Sequence, residues 1–177
     1  METQPLRYQQ RDERSACIAW SADSAYLASA AEPTPTPVKI WSATGRLIAT
    51  VQHRHPVTAL AWASRGHILA FSSADTNIYL ATLGRNRLVE HMLIIPHAHQ
   101  GSSIRVLAWA PQSTHLASAG DDGALHLWDG LTGRPLATYS DKHLIHQAIW
   151  APDGRHIVIV RSTGAAQIVD VSEATSA

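Results

Sequence analysis

One cysteine, Cys17, stands in the 177 residues, so no intrachain disulfide framework is available and the chain is compatible with a reducing compartment. Long apolar runs are missing as well; none approaches the roughly 20 residues needed to span a bilayer. The polar opening METQPLRYQQRDER has no apolar h-region, which argues against a secretory signal. There is no excess of either charge: Lys and Arg number 14, Asp and Glu 14. That balance removes the electrostatic reason to expect nucleic acid or an anionic membrane as a partner. Charged residues reach only 16% against 45% hydrophobic, which sets the chain apart from disordered sequences. The expectation is one soluble, cytoplasmic domain, long enough to bury roughly 70% of its unfolded surface.

Catalytic motifs are equally scarce. No G-x-S-x-G elbow or oxyanion loop is present to activate a serine, and no phosphate loop or dinucleotide fingerprint occurs. The pairs His53/His55, His97/His99 and His143/His146 lack a Cys or carboxylate at ligand spacing, so they read as loop histidines rather than a metal site. Asp121-Asp122-Gly123 and Asp153-Gly154 lack the alternating Asp/Asn ligands of a calcium loop and read as hairpin turns. No cofactor is expected.

What the sequence has is repetition. Arg105 to Asp129, RVLAWAPQSTHLASAGDDGALHLWD, contains three short apolar runs separated by two turns, the pattern of an antiparallel meander. Weaker copies occur elsewhere. Trp20, Trp62, Trp109 and Trp150 each end a first strand, at spacings of 42, 47 and 41 residues, the length of one four-stranded propeller blade. The other two tryptophans, Trp41 and Trp128, end third strands. Seven residues after each first-strand Trp come Leu27, Leu69, Leu116 and Ile157, followed by Ala28, Ala70, Ala117 and Val158. Asp75 and Asp122 fall thirteen residues after the Trp in the two middle copies, and the third strand ends at Ala81, Trp128 and Val169. Glu32-Pro-Thr-Pro-Thr-Pro37 lengthens the first copy by two residues; its alternating prolines suit either a docking ridge or a tolerated surface loop. Fourth strands begin after Gly45 and Gly133, where a hairpin needs a residue tolerant of positive φ, and Gly84 stands at the same place in the second copy.

These residues resemble the WD40 repeat family of β-propellers, the third unit most fully, with LASAGDDGALHLWD. The resemblance covers about residues 15 to 171. It implies an all-β fold of about four four-stranded antiparallel blades, approximately 15–52, 53–99, 100–141 and 142–177, after a polar segment 1–14. Gln4-Pro-Leu-Arg-Tyr8 in that segment is either a strand closing the last blade or a frayed tail. In the family an Asp, a His, a Ser or Thr and a Trp form a buried hydrogen-bonded set. In the third unit those roles fall on Asp122, His99, Ser118 and Trp128, although Ala98-His99-Gln100 replaces Gly-His. The second unit keeps Asp75 and His53 but has Phe71 at the serine position and Ala81-Thr82 for Trp-Asp. The first has Ser29 and Trp41 without the Asp, and the fourth keeps Asp170 after Val169.

The family usually closes a ring of seven blades, whereas four are present here. An open array or one completed by a partner is therefore favoured over a closed monomer, and two chains pairing into an eight-bladed ring is one form of completion. The functional expectation is a non-catalytic scaffold that binds another protein. In WD40 proteins partners dock on the face formed by the b–c and d–a loops, the strands of each blade being a to d. Here that face includes Glu32 to Pro37, Arg54, His55, Ala74, Pro96 to Ser103, Asp121, Lys142 and His143, with Arg54, His55 and Asp121 the specific candidates. Two alternatives stand beside it: a hydrolase- or isomerase-type propeller enzyme, and a degenerate fragment of a larger WD40 protein. The enzyme reading is disfavoured by inner strands whose few polar residues are Thr58, Arg105 and Gln147.

Overall fold

Short β-branched and aromatic runs broken by Gly, Asp and Pro turns fold into strands that pair with their immediate neighbours. The structure, a computed structural model, describes residues 14–32, 37–84, 86 and 89–174. Four antiparallel sheets follow one another. The first is β1 (Arg14–Trp20), β2 (Tyr26–Glu32), β3 (Val38–Ser42) and β4 (Leu47–Val51); the second is β5 (Val57–Trp62), β6 (Ile68–Ser73), β7 (Ile78–Leu83) and β8 (Val89–Ile95). The third is β9 (Ile104–Trp109), β10 (His115–Gly120), β11 (Ala124–Asp129) and β12 (Pro135–Ser140). The last sheet has three strands among the described residues, β13 (Ile145–Trp150), β14 (His156–Arg161) and β15 (Ala166–Asp170). The proposed closing strand at residues 4–8 lies outside the described residues. Among these, no helix is long and apolar enough to cross a membrane.

The repeated spacings have a geometric meaning. Seven residues is the hairpin distance that puts Trp20 opposite Leu27, Trp62 opposite Leu69, Trp109 opposite Leu116 and Trp150 opposite Ile157. The next strand continues each row with Trp41, Ala81, Trp128 and Val169. Because side chains alternate along a strand, the following residue faces the opposite way. Ala28, Ala70 and Ala117 are fully buried there, and their small side chains leave room for the row of the next blade. Leu69 and Trp62 of the second blade thus share a core with Ala28, Ala30 and Ile40 of the first. Trp109, Leu116 and Trp128 do the same against Ala59, Ala70 and Leu80, and Trp150 and Ile157 against Ala117, Leu125 and Leu127.

A hydrogen bond accompanies each junction. The indole N–H of Trp62 donates to the Ala19 carbonyl (3.1 Å), that of Trp109 to Ala61 (3.0 Å) and that of Trp150 to Ala108 (3.0 Å). The acceptor is always the residue just before the previous blade's Trp. The arc does not close on itself. Trp62, Trp109 and Trp150 are 8–9% exposed, but Trp20 is 55% exposed, and Ile149 and Ile168 of the last blade are 61% and 66%. The inner strands, apolar on both faces in sequence, are thus buried on both faces only where a blade lies on each side.

The turns match their residues unevenly. Gly45 and Gly133 take positive φ (81° and 72°) at the starts of fourth strands. Gly84, which the sequence places in the same turn, does not; a Cβ there would strike the Glu90 side chain.

Candidate functional site

The b–c and d–a connections emerge at the same end of the sheets and are tied to one another by backbone hydrogen bonds. Ala74 N–H donates to Pro56 O (2.9 Å), Asp121 N–H to Ser103 O (3.0 Å), Asp141 N–H to Gly123 O (2.6 Å) and Ser162 N–H to Leu144 O (2.8 Å). These bonds hold each d–a loop against a b–c turn and so fix the platform on which the loop side chains stand. Gly123 sits at φ 71°, with its missing Cβ position 2.8 Å from the Asp141 carbonyl, so this turn needs glycine on both counts. Residues 33–36 of the proline-rich loop lie outside the described residues.

In the third blade four side chains meet beneath this face. Ser118 on β10 and His99 in the preceding loop are fully buried, with His99 Nε2 2.8 Å from Ser118 Oγ. Trp128 on β11 donates its indole N–H to the same oxygen at 2.8 Å. His99 Nδ1 lies 2.9 Å from Asp122 Oδ2 but off the line of a hydrogen bond, so this contact is mainly electrostatic. Asp122 also accepts from the Ala124 N–H at 3.0 Å and from His126 Nε2 at 3.2 Å. Burial would push the Asp122 carboxyl up, but Ala124 N–H and the two imidazoles outweigh it and hold it below the usual carboxylate range. His99 is pushed down by burial, partly offset by Asp122. His99, Asp122 and His126 place ligand atoms within 4.8 Å of one another, a donor set of the kind that holds a metal. Their convergence has a simpler cause. Asp122 is the common partner of both rings, whose other nitrogens face Ser118 and Thr138 (3.1 Å). The Ser118 hydroxyl itself is fully buried.

The second blade substitutes packing for this set. His53 meets Phe71 and Tyr79 edge-on at centroid distances of 5.4 and 4.8 Å, and its Nε2 is buried without a hydrogen-bond partner. Phe71 occupies the serine position and offers no hydroxyl. Asp75 is instead held by the Ser73 and Tyr79 hydroxyls and the Asn77 N–H (3.1 Å). In the first blade Trp41 donates to Ser29 Oγ at 3.1 Å.

The outer layer of the face is charged. Arg54, His55, Lys142 and His143 are exposed. Asp121, a candidate contact residue from sequence, is held by both arms of the Arg105 guanidinium, the second at 2.9 Å. A second pair, not found in the sequence reading, joins Arg161 at the end of β14 to Asp141 at 2.8 and 2.6 Å; the guanidinium also reaches Gln167. The Arg161 pairing holds the Asp141 carboxyl far below its usual range. Beside the pair is an open cleft of about 360 Å³ lined by Ser140, Asp141, Lys142, His143, Arg161, Thr163 and Ala165. The only sequence signal for it was a lone Arg ending the apolar run HIVIV, and its partner lies 20 residues away in no motif.

The family model described as the ELP1 first N-terminal beta-propeller matches residues 2–130. The chain belongs to this family of WD40-type β-propellers. Stretches of it are similar to the ribosome biogenesis protein ERB1 of Coccidioides immitis (38% identical over 68 residues, 37% of this chain and 8% of the relative). They are also similar to WD repeat-containing protein AAC3 of Dictyostelium discoideum (38% over 61 residues, 34% and 13%). The chain therefore spans a small part of the length of the curated relatives it matches. Among solved structures, the computationally designed Ika4 protein matches with a TM-score of 0.74 at 19% identity, covering 96% of this propeller chain and 99% of Ika4. The WD40 domain of Toxoplasma gondii coronin matches with TM-score 0.74 at 20% identity, over 93% and 45% of the two chains. Sqt1 of Chaetomium thermophilum, solved bound to the N-terminus of ribosomal protein L10, matches with TM-score 0.73 at 20%, over 88% and 43%. Two of these matches thus take in less than half of a larger chain, and one takes in nearly a whole chain.

Proposed function

We propose that this propeller is a non-catalytic scaffold whose b–c and d–a loops bind a protein. The observation that carries the reading is the division of the face into two layers. Beneath, the Ser–His–Asp grouping of the third blade is sealed: Ser118 and His99 are fully buried, and the serine oxygen is shared between an imidazole and an indole. A nucleophile needs a reachable oxygen and a base free to take its proton, and this serine has neither. Above, exposed Arg54 and Lys142 and two Arg–Asp pairs stand on loops tied by backbone hydrogen bonds, and an open cleft lies beside the Arg161–Asp141 pair. That arrangement suits recognition of a peptide segment carrying carboxylates, which Lys142 and Arg54 would meet first. The binding of a ribosomal protein N-terminus by Sqt1 supports a peptide as the class of partner, while the balanced net charge favours protein over nucleic acid.

The test is capture by the purified chain followed by affinity measurement on each captured protein. The Arg54→Ala/His55→Ala/Lys142→Ala variant is expected to keep its fold and lose at least tenfold in affinity. Unchanged affinity would remove this face from consideration. The short spans matched in longer relatives favour a second reading, that the same face serves as part of a larger WD40 protein.

A further inference from the structure

Each internal junction of the arc is built to one rule. A Trp row covers the alanine face of the preceding blade, and the Trp N–H bonds the carbonyl one residue before the preceding Trp. Applied once more, the rule leaves one donor and one acceptor over, at opposite ends of the chain. Trp20 begins the series with its indole 55% exposed and no hydrogen bond among the described residues. Ile149, the residue before Trp150, ends it at 61% exposure. Around the donor, Ile18 is 66% exposed; around the acceptor, Val158 is partly exposed where its counterparts Ala28, Ala70 and Ala117 are buried, and Ile168 is 66% exposed.

We propose that the Trp20 face of one chain docks on the Ile149 face of a second copy, and reciprocally, so that two chains close an eight-bladed ring. The two end faces differ from each other and are complementary: one carries the unmet indole donor, the other the carbonyl at the acceptor place. A contact between unlike faces normally propagates, but across a two-fold axis it is made twice and closes. Making it twice brings the buried area toward the roughly 1,200–2,000 Å² of a stable association. The contact continues an interface the chain already makes three times. The match to Ika4 covers nearly all of both chains, so the fold of these four sheets is shared by a solved chain of like extent. The exposure of both faces leaves the described sheets unclosed. The fourth junction differs from the others in one respect, carrying Ile149 where they carry Ala19, Ala61 and Ala108, which adds apolar surface to it.

Light scattering on the full chain tests this. The expected mass is about 38 kDa, twice the 19.2 kDa of one chain, constant over micromolar concentrations. Trp20→Glu and Ile149→Glu each place a charge in both junctions and are expected to drop the mass to 19.2 kDa. Both side chains are exposed in the single chain, so circular dichroism of these variants should match the parent. Ile149→Ala should keep the doubled mass, since alanine serves at the other three junctions. A parent of 19.2 kDa, or one whose mass climbs without limit, overturns the proposal. So does a pair that survives either Glu variant, because a like-face dimer would use one end only.

Discussion

Replacing Ser118 by alanine removes one oxygen and strands two groups. The Trp128 indole N–H and His99 Nε2 both lie 2.8 Å from that oxygen, in a place where Ser118 and His99 are fully buried and Trp128 is 7% exposed. Water cannot reach either group without opening the junction between the second and third blades, where Trp128 packs with Trp109 and Leu80. An unmet buried polar group costs about 1–3 kcal/mol, so the substitution is expected to cost roughly 2–5 kcal/mol. With a urea slope of about 1–3 kcal/mol per molar, the midpoint should fall by about 1–2 M. Equilibrium unfolding followed by circular dichroism measures it. The double variant Ser118→Ala/Trp128→Phe discriminates further. It removes the stranded donor along with the lost acceptor, so its cost should be less than the two single costs combined by about 1–2 kcal/mol. A midpoint within about 0.3 M of the parent, or strict additivity in the cycle, would refute the view that this hydroxyl braces the blade.

Acidification should act through two histidines. Burial holds His99 and His53 below their ordinary value, so the unfolded chain binds more protons than the native one as pH drops below about 6.5. Stability is then full above that pH and is lost as pH falls toward the folded values; urea midpoints at pH 7.5 and 5.5 should differ in that sense, and His53→Phe should shrink the difference. Trp109→Ala should cost about 3–5 kcal/mol in the same melts, because the ring is 9% exposed and packs between two blades. Thr76 holds φ 66° in the turn where the third blade has Gly123, and Thr76→Gly is expected to raise the midpoint by about 1 kcal/mol equivalent. Asp121→Asn, by contrast, breaks a pair whose Arg side is about half exposed and should shift stability by no more than about 1 kcal/mol.

The blades were legible because a hairpin converts a fixed sequence spacing into a cross-strand pair. Trp and the residue seven places on are opposite one another in all four sheets, so one count recovers strand, turn and register together. The members of the buried group in the third blade could be named only through the resemblance to the WD40 family, in which such a set stands at fixed places in the repeat. What did not repeat could not be read. Arg161 ends β14 and Asp141 lies in the loop before β13, so they meet because β13 pairs with β14, and nothing in the residues around either announces the other. The pairing of Asp121 with Arg105, 16 residues earlier on an inner strand, likewise had no signal in the sequence. Gly84 looked like Gly45 and Gly133 by position alone, yet its backbone is ordinary and its lack of a side chain serves Glu90. The indole-to-carbonyl bonds have no sequence signal on the acceptor side, because any residue has a carbonyl.

Those bonds also set an order in time. Every acceptor waits for a tryptophan between 42 and 48 residues further along the chain. At a synthesis rate of about 5–20 residues per second, each acceptor therefore waits roughly 2–10 s for its donor, and the finished sheet spends the last 10–14 residues of that wait with its apolar flank bare. The chain must pass through this lag three times, always with a single blade unprotected, and growth toward the C-terminus hands the bare flank forward rather than removing it.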